Sequence, residues 1–162
     1  MKPIYTQKIN WKGEDFVNEL YITGKLPERE TIKQVQAVCI NENKKIIIYE
    51  NKEGFFGIPG GKLKSDETIE NALRREINEE SSSKMESYKV IGYVKSFKAS
   101  SPKDYTINVR CLAKVTTLNK EISDPAGKAV RRLILDPEEA IEKLSWGEIG
   151  EILVKVAIKK NI

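Results

Sequence analysis

Histidine is absent from this sequence, and its absence removes several kinds of catalytic site. Ser-His-Asp and Cys-His nucleophilic systems are excluded, as are zinc sites that require an imidazole ligand. Any general base must therefore be a carboxylate, a lysine, a tyrosine or a cysteine.

Cysteine is scarce, and long apolar runs are missing. Cys39 and Cys111 lie far apart in strand-like runs, which predicts reduced thiols in a core rather than a disulfide. The first residues, 1–6, lack the apolar stretch of a signal peptide, and no run approaches the ~18 apolar residues of a membrane span. These features predict a cytoplasmic protein that does not partner a membrane.

Charge of neither sign dominates. The chain has 28 basic and 24 acidic side chains in 162 residues, a net charge of +4. That balance is compatible with an anionic ligand but lacks the dense basic patches of a nucleic-acid binder. The length suits one domain, and no repeat or linker divides the chain, so we expect residues 1–162 to form a single domain.

Periodicity predicts strands interspersed with helices, that is, an α/β fold with a mixed sheet covered by helices. The clearest strand covers 105–115, where apolar and polar residues alternate over eleven positions. The other predicted strands are 35–39 and 46–49, which form a hairpin, then 90–94 and 130–135. Helices are predicted over 14–22, over 68–81, from Pro137 onwards and over 146–160.

The segment that points to chemistry is 54–83, where a glycine-rich turn precedes an acidic helix. It is not a phosphate-binding P-loop, because that motif requires serine or threonine after its lysine and here Leu63 follows Lys62. It also lacks the G-x-G-x-x-G dinucleotide fingerprint. Glu76, Glu79 and Glu80 are three and four residues apart and project from one side of the helix. Such a cluster suits Mg²⁺ or Mn²⁺, which prefer oxygen ligands, although a solvated helix face is the alternative interpretation.

The spacing of the whole segment resembles the Nudix box, G-x5-E-x7-R-E-U-x-E-E-x-G-U, in which U is aliphatic. Gly61, Glu67, Arg75-Glu76, Ile77 and Glu79-Glu80 match seven of its nine specified positions. The resemblance implies a Nudix-type α/β/α sandwich with a core at 33–162 and an N-terminal extension, 1–32, that holds the short helix. That helix is a candidate for pairing two subunits in a homodimer.

The sequence departs from the box at its end, where Ser82 and Ser83 replace a glycine and an aliphatic residue. The glycine position follows the helix, where a left-handed conformation is usual and serine is strained by about 1 kcal/mol. The carboxylates are all retained, so we interpret the change as local, with a weakened enzyme as the alternative.

The resemblance implies divalent-metal-dependent hydrolysis of the pyrophosphate in a nucleoside diphosphate linked to another moiety, or in a nucleoside triphosphate. The carbonyl of Gly61 and the carboxylates of Glu76, Glu79 and Glu80 would hold Mg²⁺ or Mn²⁺. Glu67 and Arg75 would support the loop and the helix. With no histidine available, the general base is expected to be Glu79 or Glu80; Glu121 and Asp124 lie in a loop from which some family members take their base.

Other observations leave alternatives open. Lys62, Lys64, Arg110 and Arg131-Arg132 are candidates for a phosphate contact, but for each one a solvated surface position is the favoured interpretation. The partner expected is a small-molecule nucleotide. A catalytically silent nucleotide-binding module and an RNA 5′-end pyrophosphohydrolase are the alternatives, the latter the less favoured of the two.

Overall fold

The computed structural model describes residues 1–161. Within that range it contains nine strands, three helices and a 3-10 turn at Arg29–Thr31. The strands are β1 Tyr5–Trp11, β2 Glu14–Ile22, β3 Ile32–Ile40, β4 Ile46–Asn51, β5 Phe56–Gly57, β6 Gly60–Lys62, β7 Ser83–Lys98, β8 Tyr105–Thr117 and β9 Ala129–Leu135. The helices are α1 Ile69–Ser81, α2 Pro137–Lys143 and α3 Gly147–Lys160.

Most of the predicted elements are confirmed. The 35–49 hairpin corresponds to β3 and β4, the alternating 105–115 run lies in β8, and the predicted helix over 68–81 corresponds to α1. The predicted strand at 90–94 is only part of β7, which is 16 residues long and contains two register shifts. Those irregularities interrupt the alternation along β7, so the sequence pattern shows only its most apolar part.

The helix predicted over 14–22 is wrong, because these residues form strand β2. β2 pairs with β1 on one side and with β7 on the other, both antiparallel. Lys12 and Gly13 connect β1 to β2 with positive φ angles of 50° and 81°, as a two-residue hairpin turn requires. The residues of β7 that pair with β2 lie 70–82 positions further along the chain, so a local sequence pattern cannot show this pairing. The proposed pairing of subunits through an N-terminal helix therefore has no basis in this structure.

All nine strands belong to one mixed sheet with the order β1-β2-β7-β8-β3-β4-β5, while β6 pairs with β3 and β9 with β4. The β3–β8 pair is parallel, and the remaining pairs are antiparallel. Because side chains alternate between the faces of a strand, the sheet has two apolar faces. Val35, Ala37 and Cys39 of β3 pack with α1 on one face. Val38 and Ile40 pack with α2 and α3 on the other.

This arrangement is the expected α/β/α sandwich with a mixed sheet. Cys39 and Cys111 are both buried and free, as predicted. Among residues 1–161, no helix is both long enough and apolar enough to cross a membrane.

Candidate active site

The turn that contains Gly60 and Gly61, here called the glycine turn, is held close to α1 because β6 pairs with β3. Gly60 is the register partner of Gln36, and Gly61 is the partner of Val35. Gly60 has φ 151°, and a Cβ at this position would lie 2.2 Å from the Val35 carbonyl oxygen. A side chain therefore has no room at Gly60, and the turn approaches β3 as closely as backbone atoms allow.

Thr68 caps the N-terminus of helix α1, and its side-chain oxygen accepts a hydrogen bond from the Asn71 amide at 3.1 Å. Leu73 and Ile77 are fully buried against the sheet and so set the rotation of the helix. With that face anchored, Glu76 projects towards the glycine turn. A Cβ on Gly61 would lie 2.5 Å from Glu76 Oε1, so the absence of a side chain at Gly61 makes space for this carboxylate.

A cleft of about 370 Å³ opens between the glycine turn, α1 and the loop before β9. Three of the predicted ligand positions, Gly61, Glu76 and Glu79, line it together with Arg75. Its remaining lining residues are Lys62, Lys64, Asp124, Pro125, Ala126 and Lys128. The cleft thus brings together carboxylate and carbonyl oxygens with several cationic side chains.

Arg75 connects the loop to the helix. Its Nε and Nη2 donate to the two oxygens of Glu67 at 3.0 and 2.9 Å, a bidentate pair. Its Nη1 donates to Glu76 Oε1 at 2.7 Å and lies 3.8 Å from Glu79. Glu67 also accepts from the Lys64 amide at 2.9 Å, and the hydrogen bonds from Arg75 lower the pKa of Glu67. The two residues therefore hold the loop after the glycine turn against α1.

Glu80 is completely buried beneath the glycine turn. Its Oε1 accepts a hydrogen bond from the Gly60 amide at 2.8 Å. Lys128 Nζ lies 3.0 Å from Oε2 as an ion pair, but at an angle that leaves Oε2 without a hydrogen bond. Burial raises the pKa of Glu80 to about 7, although the Gly60 amide and Lys128 act in the opposite direction.

Glu79 is more accessible than Glu80 and reaches the cleft directly. Its pKa is raised, first by partial burial and then by the negative charge of Glu76, while Arg75 opposes the shift. Within residues 1–161, no three His, Cys, Asp or Glu side chains are already gathered as a ligand set. Glu76 and Glu80 are instead held by Arg75 and Lys128.

The loop before β9 contributes Asp124, which lies in the loop from which some family members take their base, and Lys128, for which the sequence predicted no role. Asp124 lines the cleft, but its carboxylate accepts hydrogen bonds from the amides of Ala126, Lys128 and Ala129 at 2.9–3.1 Å. It therefore stabilises a turn that brings Lys128 to Glu80 and to the Gly60 carbonyl, 3.2 Å away. The Asp-Pro-Ala-Gly-Lys sequence is a turn signal, but nothing local indicates that Lys128 meets a carboxylate 48 positions earlier. Glu121 is exposed and does not line the cleft.

The departure from the box lies where α1 ends. Ser82 has φ 47° and ψ 53°, the left-handed conformation expected for the missing glycine. Arg132 of β9 donates to the carbonyls of Ser81 and Ser82 at 3.0 and 2.7 Å, and to that of Leu118 at 2.8 Å. Arg132 is thus committed to the end of the helix, and the interpretation of it as a solvated surface residue is wrong.

The fold and the site define the class of protein to which the chain belongs. The NUDIX domain family model matches residues 31–155, and the chain belongs to the Nudix hydrolase family, whose members hydrolyse pyrophosphate bonds and are typically dependent on divalent metals. No sequence among the curated proteins matches this chain.

Among solved structures, the chain is similar to the pyrophosphohydrolase BsRppH of Bacillus subtilis, with a TM-score of 0.73 and 19% identity over 99% of this chain and 96% of that one. It is also similar to the NUDIX domain of Shewanella oneidensis NrtR, whose structure contains ADP ribose (TM-score 0.63, 15% identity, 80% and 88% covered). A MutT protein of Methanosarcina mazei gives a TM-score of 0.58 at 17% identity, with 81% and 96% covered. At these identities the likeness is one of fold.

Proposed function

We propose that this protein hydrolyses the pyrophosphate bond of a nucleoside diphosphate linked to another moiety, or of a nucleoside triphosphate, with Mg²⁺ or Mn²⁺. The observation that carries the proposal is the meeting of the glycine turn with α1, where Gly61, Glu76 and Glu79 border one cleft and Glu80 bonds the Gly60 amide. A bound nucleotide such as the ADP ribose of the NrtR domain is the kind of ligand we expect here.

The residues of the cleft fit a hard divalent cation. Their donors are carboxylate and carbonyl oxygens, the ligands that Mg²⁺ and Mn²⁺ prefer. A Cβ on Gly61 would occupy the space at Glu76, and Glu80 Oε2 is buried with the Lys128 ammonium 3.0 Å away, so a cation is already the partner of that oxygen. We assign the metal to the Gly61 carbonyl, Glu76, Glu79 and Glu80. When bound, it would neutralise charge on the phosphate oxygens and lower the pKa of a water molecule.

Side chains of the protein would orient the phosphates and accept the proton of the attacking water. Lys62, Lys64 and Lys128 border the cleft and would attract and orient the phosphates. We favour Glu79 over Glu80 as the residue that takes the proton from the attacking water, because Glu79 reaches the cleft and Glu80 is fully buried beside Lys128. Its raised pKa makes Glu79 a better proton acceptor than an ordinary carboxylate. Glu67 and Arg75 would position the loop and the helix.

An RNA 5′ end is a second candidate substrate. The lysines at positions 62, 64 and 128 form one cationic border to an open cleft, which suits a polyphosphate that continues into a chain of further phosphates. A silent nucleotide-binding module is less favoured, because binding alone does not require the retention of every carboxylate of the box.

The test is a substrate panel: ADP-ribose, dinucleoside polyphosphates, (d)NTPs, nucleotide sugars and 5′-triphosphorylated RNA, each with Mg²⁺ and with EDTA. We expect Mg²⁺-dependent turnover of at least one nucleotide, and its loss in Glu76→Gln. Glu70→Gln is the matched control, since Glu70 lies on the exposed side of α1 and pairs with Arg74, away from the cleft. Saturable nucleotide binding with no hydrolysis of any member would contradict the proposal and favour the binding module.

A further inference from the structure

A second cavity, of about 610 Å³, lies on the face of the sheet opposite α1, beside the start of α3. Its volume is within the range of small-molecule sites. Carboxamide and aromatic side chains dominate its walls. The cavity is lined by Gln7, Ile9, Asn18, Gln34, Gln36, Tyr49, Phe55, Val94, Ser96, Asn108, Arg110, Ser145, Trp146, Gly147 and Ile149.

Arg110 is the only charged residue among those lining residues, and no carboxylate in the part of the chain that the structure describes acts on its guanidinium. It is only 7% exposed. Its Nη1 donates to the neighbouring Val109 carbonyl at 3.3 Å, and its Nε is buried without a partner. The sequence pattern favoured a solvated position for Arg110, and that interpretation is wrong because the residue is buried.

The ring of Trp146 lies 4.9 Å from the guanidinium carbon of Arg110, a cation–π contact that fixes the plane of the donors. Burial lowers the pKa of Arg110 to about 9, which leaves the group charged at neutral pH. A charged guanidinium with unused donors is therefore held in a defined orientation at the wall of the cavity.

Gln36 is the register partner of Arg110 on the adjacent parallel strand, so the two side chains lie side by side on one face. Gln36 is 9% exposed, and its Oε1 is also buried without a hydrogen bond. Two neighbouring buried atoms without hydrogen-bond partners, Arg110 Nε and Gln36 Oε1, are costly in an interior unless a ligand satisfies them. The aromatic rings of Tyr49, Phe55 and Trp146 border the same space and offer flat surfaces to a planar ligand.

The cavity adjoins the proposed catalytic cleft. Gln36 pairs with Gly60, whose amide binds Glu80, and the ring of Tyr49 lies 5.1 Å from Lys128 Nζ. A nucleotide with its phosphates in the cleft would therefore place its base on the cavity side of β3 and β6. This step rests on the proposed function.

We propose that Arg110 selects the base of the nucleotide: it recognises a guanine-type purine, whose carbonyl oxygen and adjacent ring nitrogen are paired acceptors. The forked guanidinium matches two adjacent acceptors, whereas adenine places an amino donor where guanine has its carbonyl. A bare anion is a poorer occupant, because the cavity has no second cation and its walls are largely aromatic and carboxamide.

The first test measures binding without metal and without turnover. In a Trp11→Phe background, Trp146 is the sole tryptophan and reports occupancy of the cavity by its fluorescence. The titrants are GMP, IMP, 7-deaza-GMP, AMP and inorganic phosphate. We expect GMP and IMP to bind at least about 10-fold more tightly than AMP, and 7-deaza-GMP, which lacks the ring-nitrogen acceptor, to bind more weakly than GMP. Equal binding of GMP and AMP, or saturation by phosphate at the same concentration as by GMP, would overturn the proposal.

The second test changes the residue. Arg110→Lys keeps the charge and loses the fork, and Arg110→Gln removes both. We expect the GMP to AMP affinity ratio to fall towards one in both variants, with AMP binding changed less than about 3-fold and the thermal transition retained. Arg131→Gln, on an exposed edge of β9, is the control and keeps the wild-type ratio.

A wild-type ratio in Arg110→Lys would contradict the assignment, and if Arg110→Gln does not fold, the base series on the wild-type protein still decides it. If the protein prefers GMP to AMP but hydrolyses no nucleotide, the proposed function is wrong and the role of Arg110 stands. Hydrolysis without base selectivity would remove only the role of Arg110.

Discussion

Individual carboxylates in the proposed site differ in what surrounds them, although the spacing in the sequence makes them look equivalent. Glu67 is bonded to Arg75, Glu76 faces Gly61, Glu79 reaches the cleft and Glu80 is buried against the Gly60 amide. Helical spacing predicted that the three acids of α1 share one side. It could not predict which of them is buried, because that depends on β6 and on Lys128, both distant in sequence from α1.

Replacement of Glu79 tests its proposed role. Glu79→Gln removes the group that would accept the proton, so we expect kcat to fall at least about 100-fold on the best substrate. Because Glu79 is partly exposed and does not pack in the core, the thermal transition should stay within about 2 °C of wild type. Steady-state kinetics and calorimetry check both expectations, with Glu70→Gln as the matched control. An unchanged kcat would remove Glu79 from the mechanism.

Because the pKa of Glu80 is raised in the folded protein, we expect the stability of the metal-free protein to depend on pH. Its pKa is about 7 in the folded chain against 4.5 for an ordinary glutamate, so between these values the folded state binds more protons than the unfolded state. The free energy of unfolding should therefore decrease as pH rises from 4.5 to 7, by up to about 3 kcal/mol. Urea unfolding in EDTA at several pH values measures this slope. Glu80→Gln should flatten it and Glu70→Gln should not; equal slopes in all three proteins would contradict the assignment.

At the scale of elements, the end of α1 shows how the structure accommodates a departure from the family pattern. Ser82 adopts the left-handed conformation that glycine normally supplies, and Arg132 binds two carbonyls at the helix end. The sequence predicted the strain at Ser82, since the helix boundary and its residue type are both local. It did not predict Arg132, because β9 meets this turn only through the fold.

Ser82→Gly is expected to stabilise the protein. The change relieves the left-handed strain and also removes a buried hydroxyl that has no hydrogen-bond partner. Together these favour the glycine variant by about 1 kcal/mol in the free energy of unfolding. Ser100→Gly, in an exposed turn, is the control and should lose a few tenths of a kcal/mol, roughly the cost of added chain entropy. Chemical denaturation that shows Ser82→Gly to be less stable than wild type would contradict this explanation.

The N-terminal hairpin is the element that sequence reasoning missed. Phe16, Val17 and Leu20 fit a helical repeat, yet the segment is a strand between β1 and β7. Nine residues are too few for the spacing of three apolar positions to distinguish the two structures, and the Lys12-Gly13 turn was the stronger local signal.

At the scale of the whole molecule, local patterns predicted the α/β/α layers, because β3 and β8 alternate or are continuously apolar and α1 carries one clear apolar stripe. They did not predict strand order, nor that Gln36 and Arg110 would be adjacent in a cavity, since parallel pairing of β3 and β8 joins residues 74 positions apart. The division of the chain into an extension at 1–32 and a core at 33–162 stays a prediction. The 19% identical BsRppH fold matches 99% of the chain, the extension included.

The most direct test of the central claim is the anomalous diffraction of crystals soaked in Mn²⁺, measured on the wild type and on Glu76→Gln. We expect a manganese peak in the cleft, within bonding distance of the Gly61 carbonyl oxygen and the Glu76 carboxylate, and its loss or marked weakening in Glu76→Gln. A wild-type crystal at millimolar Mn²⁺ with no peak beside these oxygens, or a peak that persists unchanged in Glu76→Gln, would contradict the account.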